Sequence, residues 1–137
     1  RALLTDVILY KQDCVILDME AGLEHLGRGT AQGVDLMLVV AEPGQRAVET
    51  INSVRTMSGQ IGIRRFAVIG NKVATDEDRL FLERALPTQD FLGALPFSET
   101  IRRADREGLP LIDIMGAQLR AQFEELWRKV KLRSVND

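Results

Sequence analysis

The sequence predicts an α/β domain built on a doubly wound, mainly parallel sheet with helices on both faces. Three observations predict it. Short apolar runs each close on polar or loop-forming residues, the stretches between them place apolar residues at helical spacing, and the runs lack the polar alternation of a strand with one wet face. Strand and helix in alternation imply parallel strands joined by right-handed crossovers. Size agrees: 137 residues, 45% apolar and 28% charged, make one globular domain and exclude a disordered, fibrous or disulfide-stapled chain. A domain of this length hides roughly 70% of its unfolded surface, so folding alone requires no metal.

The first apolar run is 14–18, ending on Asp18 and followed by Ala21 and Gly22, which reads as a buried strand opening into a loop. Cys14, the single cysteine, is expected to be a buried small hydrophobe within it. The second run, 34–41, is rich in Val and Leu, stops at Glu42, Pro43 and Gly44, and is expected to be covered on both faces. The third, 66–70, ends at Asn71 and Lys72; the fourth, 91–95, ends at Pro96. Between them, Ala47, Ile51, Val54 and Ile61 form a helical stripe closed by Gly59 and Gly62. The Thr75-x-x-Asp78 pattern starts another helix that stops before Pro87. Met115, Leu119, Phe123, Leu126 and Val130 line one face of a long final helix. The stretch 2–10 is consistent with a further helix.

Ligands of such sheets bind beyond the carboxyl ends of the strands. The residues there are 18–22, 42–44, Asn71 with Lys72, and 96–99. Asp18 suits a magnesium and phosphate site, because a strand fixes the carboxylate and the glycine at 22 lets a backbone N–H approach a terminal phosphate; capping the next helix is the equal alternative. Asn71 offers a donor and an acceptor in one plane to a nucleobase edge, although an Asn after a strand is commonly a turn residue. Glu20, Glu24 and His25 match no standard metal-ligand spacing and read as solvated loop charges. Arg120, Arg128, Lys129, Lys131 and Arg133 with Trp127 give the last helix a basic amphipathic look, but Glu124 and Glu125 dilute it, and packing on the sheet explains its apolar face better than a membrane does.

A formal net charge of -2 with both signs dispersed argues against a nucleic-acid binder. No run approaches the roughly 18 apolar residues of a membrane span, and no secretory signal opens the chain, so a cytoplasmic location is expected. A lone His and a Cys expected to be buried argue against a Ser-His-Asp or Cys-His hydrolase. The chain starts at Arg1 without a methionine, which is expected of a piece of something longer.

The segment 15–35, VILDMEAGLEHLGRGTAQGVD, resembles the Walker B and switch II region of the carbon monoxide dehydrogenase accessory ATPases, the CooC family, within the MinD, ParA and nitrogenase iron protein group of P-loop ATPases. The likeness continues through Leu38-Val39-Val40-Ala41-Glu42-Pro43-Gly44, Val68-Ile69-Gly70-Asn71-Lys72, Leu95-Pro96-Phe97-Ser98, Arg103-Ala104-Asp105 and Gly108. It implies that residues 1–137 are the C-terminal portion of a single P-loop ATPase domain, an ATP-dependent dimeric switch that helps install nickel in carbon monoxide dehydrogenase. By the same resemblance Asp18 holds Mg2+ through water, Gly22 senses the terminal phosphate, Asn71 with Lys72 reads adenine, and Pro96 and Phe97 lie against the base. The segment 22–28 is the part that moves when the phosphate leaves.

The family's phosphate loop, its first switch and its Cys-x-Cys nickel pair are not in this sequence, so no residue here is given a catalytic role. Asp18 alone is not expected to hold ATP tightly. The resemblance also places the phosphate-loop strand between the strand ending at Asp18 and the one beginning near Val34, which predicts open apolar edges that seek a partner copy or a separate N-terminal half. A non-catalytic binding or dimerisation module derived from such an ATPase is the second reading. A phosphoacceptor receiver domain is a third, disfavoured because the acidic pair and the late Lys-Pro that receivers need are missing.

Overall fold

The computed structural model describes residues 13–18 and 33–135. Within them the order is β1 (Met37–Ala41), α1 (Gln45–Gln60), β2 (Phe66–Val73), α2 (Asp76–Ala85), β3 (Phe91–Pro96), α3 (Glu99–Glu107), α4 (Leu111–Ile114) and α5 (Ala117–Val135). The three strands form one parallel sheet in the order β1-β2-β3.

Two glycines show that helices cover both faces. A Cβ on Gly70 would meet Leu82 Cδ1 of α2, whereas a Cβ on Gly93, the partner of Ile69 across the sheet, would meet Leu126 Cδ2 of α5. Residues 69 and 70 alternate across the pleat, so α2 and α5 lie on opposite sides. On the α2 side the core gathers Ile51 from α1, Phe66 and Val68 from β2, and Leu82 and Leu86, with Met37, Val39 and Ala41 packed against it. Ile51, Val68 and Leu82 are wholly excluded from solvent.

Local chemistry sets the helix ends. Thr75 accepts the Asp78 N–H while the Asp78 carboxylate accepts the Thr75 N–H, so two orphan donors of α2 are satisfied reciprocally, as the Thr-x-x-Asp pattern predicts. Ser98 caps α3, which ends at Gly108 in the left-handed conformation while Leu109 N–H reaches back to the Ala104 carbonyl. At the amino ends of the strands, Asp90 is buried and receives Arg55 at 2.6 Å and Arg133 at 3.6 Å, which ties α1 and α5 to the start of β3.

The structure corrects five expectations. Residues 14–18 are not a strand: they carry no regular structure and their side chains are exposed, Ile16 at 76%. Cys14 is accordingly exposed rather than buried. The cause is the lack of a pairing neighbour among the described strands, since an apolar strand is buried only when flanked. The sheet therefore has three strands among the described residues instead of four. β1 is covered on one face only: Leu38 and Val40 are 37% and 57% exposed, because β1 is the edge of the described sheet and α1 lies on its other face. Asn71 and Lys72 do not follow β2 but lie inside it. The expected helix at 2–10 lies outside the described residues.

Candidate functional site

All three strands run parallel, so their carboxyl ends and the helix starts that follow share one rim. β1 ends at Ala41 and leads through Glu42, Pro43 and Gly44 into α1, whose start has no side-chain cap. β2 leads through Ala74 to the Thr75 cap of α2, and β3 leads through Phe97 to the Ser98 cap of α3.

The tip of β2 is irregular. Gly70 pairs with Ala94 and Val73 with Pro96, so Asn71 and Lys72 together oppose the single residue Leu95. This is a β-bulge, uncommon in a parallel pair, of the kind that re-aims side chains beside binding sites. An opposite shift precedes it: Val68 pairs with Phe91 and Ile69 with Gly93, leaving Leu92 as the extra residue on β3. The Leu92 carbonyl accepts Lys129 Nζ of α5 at 3.0 Å. The two shifts offset each other, and the strands meet again where Phe97 N–H donates to the Val73 carbonyl at 2.9 Å.

Four of the sequence-predicted residues are brought together by this geometry. Asn71 and Lys72 form the bulge, and Pro96 and Phe97 stand on the adjoining tip. Phe97 is 47% exposed, with the Arg102 guanidinium 5.7 Å from its ring centroid, which Glu99 in turn holds at 3.1 Å. Lys72 Nζ lies 2.5 Å from Glu42 Oε1, joining the tips of β2 and β1. Asn71 is half-buried. An exposed aromatic face, an amide and a polar rim at helix starts can accept a planar heterocycle by stacking and edge hydrogen bonds.

Asp18 is described but exposed, at the end of residues 13–18 and not on a strand. Gly22, Glu20, Glu24 and His25 lie outside the described residues. Among the described residues, no three His, Cys, Asp or Glu side chains gather as a metal site, and no helix is long and apolar enough to cross a membrane. Sequence reasoning missed the Glu42–Lys72 pair and the Arg102–Phe97 contact. Neither has a signal in spacing, because each joins residues of separate or consecutive elements through the fold.

No protein-family model matches the chain. Curated relatives do. The chain is 38% identical over 117 residues to the carbon monoxide dehydrogenase accessory protein CooC of Rhodospirillum rubrum, which is 85% of this chain and 44% of that protein. It is also 38% identical over 114 residues to an uncharacterized ATP-binding protein of Methanocaldococcus jannaschii, 81% of this chain and 44% of the relative. A second such protein of that organism is 29% identical over 120 residues, 85% of this chain and 45% of the relative. The chain thus spans less than half the length of the relatives it matches. The three parallel strands with their helices are consistent with a P-loop NTPase-like fold, and the sequence is CooC-like, consistent with the C-terminal part of such an ATPase.

Proposed function

With this CooC-like kinship as the premise, we propose that the chain is the base-binding part of an ATP-dependent accessory protein for nickel-site maturation of carbon monoxide dehydrogenase, working as a nucleotide-switched dimer. The observation that carries the reading is the match to CooC along most of the chain, coupled with the clustering of Asn71, Lys72, Pro96 and Phe97 at two neighbouring strand tips.

The exposed Phe97 ring and the bulged Asn71 fit an adenine base. Phe97 supplies a stacking surface beside Pro96, while the Asn71 amide reads the edge with one donor and one acceptor. Lys72 stands beside Asn71 and shapes the tip. Asp18 supplies a solvent-accessible carboxylate of the hard-oxygen type that Mg2+ prefers, and would hold the ion through water, with Gly22 at the terminal phosphate. The bound Mg2+ would neutralise phosphate charge. The phosphate cradle itself belongs to the remainder of the ATPase. Nickel is cargo here; the resemblance assigns its thiolate pair to that remainder too, since the sequence has a single cysteine.

Among the described residues β1 is an edge strand, and this with the exposed Leu38 and Val40 supports a neighbouring strand supplied by that remainder or by a partner copy. The same feature favours a second reading, a non-catalytic module that keeps the dimer and partner surface without nucleotide chemistry.

The test is magnesium-dependent ATP hydrolysis by the complete protein. Asp18→Asn is expected to abolish it, and unchanged turnover would remove Asp18 from the mechanism. A titration separates the second reading: retained binding to the dehydrogenase with no affinity for adenine nucleotides would favour the module.

A further inference from the structure

Lys72 has φ 54°, the sole positive φ outside glycine among the described residues. A side chain with a Cβ crowds the backbone there, so this conformation persists only where the surroundings hold it. Two observations identify the hold. Asn71 and Lys72 are the doubled residues of the β2 bulge, pinned on one side by Gly70 against Ala94 and on the other by Val73 against Pro96. The Lys72 ammonium is then drawn back over the tip of β1 by the Glu42 carboxylate at 2.5 Å. Glu42 is thirty positions away in sequence, just past the end of β1, so the contact exists because the register pairs Ala41 with Gly70.

The pair contributes little to overall stability, because both side chains are more than half exposed. Its effect is local and geometric. Bulges next to binding sites re-aim the side chains they carry, and this one carries Asn71.

We infer that Glu42 is a positioning residue of the rim: through its ion pair it holds Lys72 in the left-handed bend, and the bend sets where Asn71 stands for an adenine base. This rests on the nucleotide reading above. Glu42 touches neither base nor phosphate in this role. Its influence passes through the backbone of Lys72.

The test is an NMR titration of the 137-residue chain with adenosine and with guanosine, which carry no phosphate and so need no phosphate loop. Adenosine is expected to shift the resonances of Asn71 and Phe97, and guanosine to bind more weakly. Glu42→Gln is expected to weaken adenosine binding about fivefold, the most that an exposed pair of this kind implies. Adding Lys72→Gly to Glu42→Gln is expected to restore it, because glycine takes positive φ without steric cost.

The outcomes separate cleanly. No adenosine binding by the parent chain overturns the nucleotide reading and this role with it. Parent binding that Glu42→Gln leaves unchanged overturns the role of Glu42 alone. A loss in Glu42→Gln that Lys72→Gly fails to restore overturns transmission through the bend.

Discussion

Gly70 has no room for a methyl group. A Cβ there would stand 2.7 Å from Leu82 Cδ1 and 3.0 Å from Ala94 Cβ, both in the packed interior between β2, β3 and α2. Gly70→Ala is therefore expected to destabilise the fold by about 1–3 kcal/mol, the usual cost of overpacking. A urea denaturation midpoint indistinguishable from that of the parent chain would contradict so close an approach of α2. The neighbouring residues show the limits of sequence at this scale. Asn71 and Lys72 were legible as polar residues closing an apolar run, although they lie inside β2 and not after it. That they form a bulge was not legible, because a bulge is a property of register between two strands and only one of them is visible in a local window. Cys14 failed for a related reason: its apolar neighbours imply burial only if a flanking strand supplies it.

At the scale of elements, the helices were legible and the strands were legible in position more than in environment. α1 and α5 follow the apolar stripes, with Ile51 and Leu126 buried, and α2 starts at its capping box. The cap is local chemistry, so a four-residue pattern suffices to read it. Thr75→Ala is expected to cost about 1 kcal/mol and to fray the first turn of α2, visible as faster amide exchange at Asp78; exchange there equal to that of the parent chain would contradict the cap. α3 and α4 were not read, since nine- and four-residue helices offer too short a stripe to establish a period. β1 is the instructive strand. Its sequence is apolar on both faces, as a doubly covered strand requires, yet only Met37, Val39 and Ala41 meet the core while Leu38 and Val40 face outward.

At the scale of the described molecule, that mismatch lies at the outer strand of the sheet. Among the described residues β1 has an unpaired edge beside the exposed Leu38 and Val40, and residues 15–17 are exposed apolar residues too. Edges of this kind template pairing with another chain. The purified chain is accordingly expected to sediment above its monomer mass of 15.3 kDa, and Val40→Lys, at a position already exposed in the single chain, to lower the association without unfolding it. A monomer at every concentration, unaltered by Val40→Lys, would contradict the proposed pairing. The fold class was legible because it depends on alternation of whole elements, and the CooC likeness because it depends on residues in order along the chain. The joining of strand tips by Glu42 and Lys72 was not, because it depends on three-dimensional neighbours.

The central claim is that the tips of β2 and β3 form the base side of an adenine-nucleotide site. The most direct measurement is photolabelling of the chain with 8-azido-ATP in magnesium, followed by peptide mapping by mass spectrometry with excess unlabelled ATP as competitor. Competed label is expected on the peptides that contain Asn71 with Lys72 and Pro96 with Phe97. Label confined to other surfaces, such as the outer face of α2 around Leu80 and Arg84, or label that unlabelled ATP does not displace, would contradict it.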